Sequence, residues 1–232
     1  MKRLLPYAFA FSLFGSSWAK DEIVDWEQQR NKHWAWNELT DPKPPQVKNA
    51  KWVRNEIDRF ILAKLEANGL SPNEEAAASA LNRRLHYDLV GLPGVVDSKN
   101  KSYEAVMDEL LASPHFGERW ARHWMDCLRY SEGHGGQGDP RIPYAWRYRD
   151  YLIRAFNRDV PYDRLIEEHL AGDLIAEPRI DRDNGINESV LGVAQYRFVQ
   201  HGSAPTDALD DQVRVTENQI DVISKAFLGL TV

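Results

Sequence analysis

The chain has 232 residues, 29 Lys and Arg against 35 Asp and Glu, a formal charge of −6 and one cysteine. The acidic balance argues against nucleic acid as a partner, because that binding relies on a basic face that neutralises phosphates. A lone cysteine excludes an internal disulfide and a Cys-x-x-Cys-His haem attachment motif. In chain order, residues 1–19 read as an export signal. Lys2 and Arg3 form its positive end, residues 4–14 its apolar middle, and Ser17-Trp18-Ala19 its small-x-small cleavage pattern. Removing Lys2 and Arg3 leaves 27 basic and 35 acidic residues, a charge of −8. The apolar run is too short for a membrane span and no later stretch qualifies, so the expectation is an exported, periplasmic or extracellular protein that does not span the membrane. Roughly 210 remaining residues can bury a substantial core.

Residues 20–50 read as an extended strap. Pro42, Pro44 and Pro45 oppose a regular helix, and Trp26, Trp34 and Trp36 are its anchors. A helical domain is expected over 51–232. Its first helix spans 52–68, with Ile57, Phe60, Ile61 and Leu65 on one face and Asn68-Gly69 as a stop. Ser71-Pro72-Asn73-Glu74 has the form of a capping box, from which a second helix runs to Gly91-Leu92-Pro93. Residues 94–101 form a polar linker, and Ser102 caps a helix carrying Tyr103, Val106, Met107, Leu110 and Leu111.

Ser113-Pro114 opens the central helix. At about 100° per residue, Phe116, Trp120, Trp124, Cys127 and Leu128 share an apolar sector, which makes Cys127 a buried, inert thiol. Arg119, His123, Asp126 and Tyr130 fall within about 60° on one flank, a column spaced for mutual hydrogen bonds. After the glycine-rich loop 131–143, a helix over 144–157 places Ala145, Tyr148, Leu152, Ile153 and Phe156 inward, and Arg149 among them. A buried guanidinium needs a carboxylate, and Asp126 on the antiparallel neighbour is the expected partner. Arg119, His123, Asp126, Tyr130 and Arg149 are therefore read as a structural network. The alternative makes Asp126, Glu132 and His134 a catalytic site at the helix end. Loop 131–143 has neither a phosphate-loop nor a dinucleotide fingerprint, and its default reading is a flexible connector.

A short helix over 164–171 carries Glu167, Glu168 and His169, whose adjacent positions point to different faces, so no metal site is expected there or elsewhere in the chain. Residues 177–187 read as a charged loop, 189–199 as an apolar segment of undecided type, and 213–228 as a last helix with an acidic lead at 207–211. The ending, Ala226-Phe227-Leu228-Gly229-Leu230-Thr231-Val232, is apolar where termini are usually polar, which suggests that a longer chain has been cut. The fold class expected is all-α, an irregular multi-helix bundle with a Pro/Trp-rich N-terminal strap.

Several long motifs occur in order. They are His33-Trp34-Ala35-Trp36, then Asn55-Glu56-Ile57-Asp58-Arg59-Phe60-Ile61-Leu62-Ala63-Lys64-Leu65-Glu66, and Arg83-Arg84-Leu85-His86-Tyr87-Asp88-Leu89-Val90-Gly91-Leu92-Pro93. Next come Leu111-Ala112-Ser113-Pro114-His115-Phe116-Gly117-Glu118-Arg119-Trp120-Ala121-Arg122-His123-Trp124, Tyr144-Ala145-Trp146-Arg147-Tyr148-Arg149-Asp150-Tyr151, Gln219-Ile220-Asp221 and the terminal apolar run. From about residue 33 to 232 the chain resembles the planctomycete-type cytochrome c-associated domain of unknown function. The resemblance implies an exported bacterial protein, usually large, with no established activity for this domain and a Cys-x-x-Cys-His motif just beyond the segment matching 229–232. On that basis no cofactor is expected within the chain, and c-type haem is expected of a downstream segment or a redox partner. The leading functional reading is a non-catalytic helical module that supports or shields such a centre. The alternatives are an extracytoplasmic polymer hydrolase using Asp126, Glu132 and His134, and a cell-wall or glycan-binding module using the strap tryptophans.

Overall fold

The computed structural model describes residues 26–33, 36–94, 100–135, 138–199 and 207–231. The expected export signal, Trp34 and most of the linker after Gly94 lie outside these. The chain divides between Glu74 and Glu75 into two compact units.

In the N-terminal unit, part of the expected extended strap is a helix, α1 (Trp26–Lys32). Its segment has no Gly or Pro, with Glu27 in the first turn and Arg30 and Lys32 in the last, which suits the helix dipole. The Arg30 guanidinium lies 5.1 Å from the ring centroid of Trp36. Beyond it the proline-bearing segment is not helical. Helix α2 (Glu56–Ala67) begins at a complete capping box: the Asp58 amide donates to the Asn55 side chain at 3.1 Å and the Asn55 amide to the Asp58 carboxylate at 3.2 Å. The amides of Lys48 and Asn49 donate to the Glu66 carboxylate at 3.0–3.1 Å, tying the segment before α2 to its last turn. The Lys48 amide chiefly holds that carboxyl below its ordinary pKa.

The second unit contains α3 (Ala78–Leu89), α4 (Tyr103–Leu111), α5 (Pro114–Cys127), α6 (Trp146–Asn157), α7 (Tyr162–Ala171), a hairpin of β1 (Ile180–Asp181) and β2 (Ile186–Asn187), α8 (Ser189–Gly192), and α9 (Ala208–Ile223). A 3-10 turn (Val193–Arg197) follows α8, and a π turn (Ser224–Leu228) follows α9. Ser102 and Ser113 cap α4 and α5 as expected. The Ser71 capping box does not form. Helix α3 starts only at Ala78, because the intervening residues are mostly exposed and a helix gains most of its stability from a buried face. Leu85, Val90, Val106 and Leu110 make a small core between α3 and α4. A larger one gathers Ala121, Leu128, Tyr148, Tyr151, Leu152, Ala155, Leu165, Phe198 and Val222.

The inward face of α5 keeps Leu128 and Trp124 from the expected sector but is shifted toward Gly117 and Ala121. Gly117, Ala121 and Leu128 are buried, whereas Trp120 is 38% exposed and Cys127 is exposed. The cause is how closely α5 crosses α6. A Cβ on Gly117 would lie 2.4 Å from the Ile153 carbonyl oxygen and 2.6 Å from the Asn157 side chain. Asn157 bridges the two helices, accepting from the Gly117 amide at 2.7 Å and donating to the Pro114 carbonyl at 3.0 Å. Small residues thus occupy the seam, and the large aromatic ones flank it.

Candidate functional site

The most deeply buried charges lie between α6, α7, the hairpin and α8. Glu168 is fully buried. Arg179, just before β1, donates to both of its oxygens, from Nε at 3.1 Å and Nη2 at 2.9 Å. The Tyr151 hydroxyl donates at 2.7 Å and the Ser189 hydroxyl at 2.8 Å. Burial acts to raise the Glu168 pKa, but the bonds from Arg179, Tyr151 and Ser189 outweigh it and hold the carboxyl below its ordinary value. The same pairing raises Arg179 against the effect of burial. Burial, reinforced by the neighbouring Glu168 charge, keeps the Tyr151 phenol protonated far above its usual range.

A second cluster adjoins it. Arg154 donates to Glu188 from Nε at 2.6 Å and Nη2 at 3.3 Å, while Arg158 and Asn184 donate to Asp181 at 3.4 and 2.8 Å. Glu188 and Asp181 are both buried. The hairpin is held to the end of α6 by these pairs. Two glycines bring α7 and α8 into backbone contact: a Cβ would meet the Ser189 carbonyl oxygen at 1.9 Å from Gly172, and the Glu168 carbonyl oxygen at 2.3 Å from Gly192.

His169 points away from Glu168, into the aromatic core, and is fully buried. Its Nδ1 lies 2.6 Å from the Leu165 carbonyl, which can only accept, so Nδ1 carries the proton. Nε2 accepts from the Trp124 indole at 3.0 Å and the Tyr148 hydroxyl at 2.7 Å. A proton on Nε2 would oppose the donor-only indole. Burial, against weaker opposing effects from Leu165 and Glu168, lowers the His169 pKa to about 4, and it pushes the Tyr148 phenol well above its usual range.

The expected column on α5 occupies separate settings. Arg119 packs along Gly91, its Cδ 3.1 Å from where a Cβ on that glycine would sit, and its Nε is buried without a partner among the described residues. The His123 ring meets Trp120 edge-on at 5.5 Å. Asp126 is exposed and makes no side-chain hydrogen bond or ion pair among the described residues. Arg149 does find carboxylates, but they are Asp150 at 3.0 Å and Glu132 at 3.6 Å, and its side chain is 41% exposed. The Tyr130 hydroxyl donates to Glu132 at 3.1 Å, and burial together with that bond pushes the phenol up to about 12. Rotation of the α5–α6 seam explains the change of partner: Asp126 is turned outward, and Arg149 lies at the rim beside the loop.

Of the other two catalytic candidates, Glu132 is exposed and engaged by Tyr130 and Arg149, whereas His134 is buried with Nδ1 3.2 Å from the Val199 carbonyl. The ends of the loop pair through a bridge between Gly133 and Arg141. A cleft of about 400 Å³ opens beside His134, with Arg129, Ser131, Phe198 and Asn218 on its walls. Arg129 is committed to Asn218 and Asp221, at 2.8 and 2.6 Å. Among the described residues no three His, Cys, Asp or Glu side chains gather as a metal site, and no helix is long and apolar enough to cross a membrane.

The hairpin clusters had a sequence signal. Asn184-Gly185 between Ile180 and Ile186 is a hairpin turn signature, and Gly185 takes the left-handed conformation at φ 64°. Fold and interior together define a predominantly α-helical module whose buried carboxylates are all paired within the chain, while Arg119 Nε and Arg179 Nη1 are buried without a partner among the described residues. Residues 56–232 match the family described as PSCyt2, a protein of unknown function (DUF1549), and the chain belongs to that family. The His33–Trp36 motif precedes the matched region. No curated protein and no solved structure matches the chain.

Proposed function

We propose that this chain is an exported, non-catalytic helical module that supports or shields a c-type haem centre supplied by another segment or a redox partner. The observation carrying the non-catalytic part is the closure of the interior. Glu168, His169, Asp181 and Glu188 are all buried and hydrogen-bonded to neighbours of their own chain, so none faces a position a substrate could take. Asp126, Glu132 and His134 have three different surroundings, so a polymer hydrolase built on them is the weaker reading. Covalent haem does not fit this chain's own residues. Cys127 is followed by Leu128 and has no second cysteine, and both ring nitrogens of His169 are engaged. The haem association therefore rests on the family resemblance and is assigned to a different segment or chain.

The test is the visible spectrum of the complete gene product after periplasmic maturation with haem supply. A Soret band that remains after denaturation, as covalent haem requires, is the expected result. A colourless product that also captures no cytochrome c from the same host's periplasm would remove the haem part of the reading.

A further inference from the structure

The stretch leading into α6 carries a second arrangement that the closed interior does not use. Ile142 and Ala145 are buried and anchor it to the core, but between them Tyr144 has φ 61°, a left-handed conformation in which a bulky residue is strained. The Tyr144 ring is not what packs the core: the residue is 66% exposed, and Trp146, two residues on, is 46% exposed. The Arg147 guanidinium sits 4.9 Å from the Tyr144 ring centroid and 5.6 Å from that of Trp146. Beside Tyr144 a pocket of about 270 Å³ is walled by Ile142, Pro143, Ala194, Arg197 and Phe198. Neither Arg147 nor Arg197 has a carboxylate partner among the described residues, in a chain that is acidic overall.

We propose that this is a binding site for an acidic sugar, with the apolar face of the ring on Tyr144 and its carboxylate on Arg197, both of which line the pocket, and with Arg147 beside Tyr144 adding positive charge. A guanidinium stacked on an aromatic ring keeps its in-plane N–H groups free and pre-oriented for a carboxylate. Flat, exposed Tyr and Trp rings offer an apolar face with a polar edge, which matches a pyranose. The pocket, at about 270 Å³, is slightly below the usual range of ligand sites, the scale of one ring. Nucleic acid would require a broad basic face. The site is independent of the haem reading.

The experiment is calorimetric titration of the whole protein with trigalacturonate and, in parallel, with neutral galactotriose. Saturable binding of the acidic trimer alone is expected. Tyr144→Gly and Arg197→Gln should each weaken it about tenfold or more. Glycine adopts the backbone of residue 144 without strain, which offsets its greater freedom in the unfolded chain, so Tyr144→Gly should melt close to the parent and thereby separates loss of binding from loss of fold. No heat of binding at millimolar trigalacturonate, equal affinity for the neutral trimer, or unchanged affinity in both variants would overturn the proposal.

Discussion

Replacing Glu168 by Gln leaves shape and volume almost unchanged but removes the charge that two bonds from Arg179 answer. The glutamine oxygen can still accept from Tyr151 or Ser189, but its NH2 then faces one of the two Arg179 N–H donors, so a bond is lost together with the charge. Removing one partner of a buried pair costs about 3–5 kcal/mol. The Arg179 side chain retains 19% exposure, and water can take up part of its charge, which places the cost near the lower end, about 3 kcal/mol. For a folding unit of this size that corresponds to a fall in Tm of about 6–12 °C. Thermal and urea unfolding followed by circular dichroism would measure it. The reasoning also fixes the sign of a second step: Glu168→Leu combined with Arg179→Met removes both charges and should be more stable than Glu168→Gln alone. A loss below about 1 kcal/mol in Glu168→Gln, or a double variant less stable than the single one, would refute the pairing as a structural element.

Further expectations follow from the same geometry. Gly117→Ala forces a methyl against the Ile153 carbonyl, which lies on the backbone and cannot rotate away, so its urea midpoint should fall by an amount equivalent to about 2 kcal/mol. Asp126→Asn, at an exposed position without an ion pair, should alter stability by no more than about 0.5 kcal/mol in the same assay. Stability should also depend on pH through His169, whose folded pKa of about 4 lies below its ordinary 6.5. Between these values the unfolded chain binds a proton that the folded chain refuses. The contribution is therefore complete above pH 6.5 and is lost as pH falls toward 4, by about 3 kcal/mol. His169→Gln should flatten that slope in unfolding curves collected across the range. Glu168, held low when folded, adds a further loss in the same direction below about pH 4.5.

Local signals in the sequence fared best where one residue type settles the matter. Ser102 and Ser113-Pro114 begin helices because a hydroxyl or a fixed φ satisfies the helix start and a buried face follows at Val106 and Leu110 or at Gly117 and Ala121. Signals that need a partner fared worse. Ser71 to Glu74 has the letters of a capping box, but with no apolar face behind it the helix waits until Ala78. On α5, hydrophobicity nominated Trp120 and Cys127 for the inside, whereas closeness of approach selected Gly117 and Ala121, and that rotation also moved Asp126 away from Arg149. The separation of Glu168 from His169 was readable from their adjacency. That both would be buried was not, because the residues that satisfy Glu168 come from positions 151, 179 and 189. Asn184-Gly185 could have turned the charged loop at 177–187 into a hairpin, and from there its carboxylates could have been sought as partners for Arg154 and Arg158.

The ring nitrogens of His169 give the most direct view of the closed interior. Nitrogen-15 NMR should find a neutral imidazole with its proton on Nδ1, unchanged as the folded protein is taken from pH 7.5 to 5. An imidazolium forming near pH 6.5, or a proton on Nε2 facing the Trp124 indole, would contradict it.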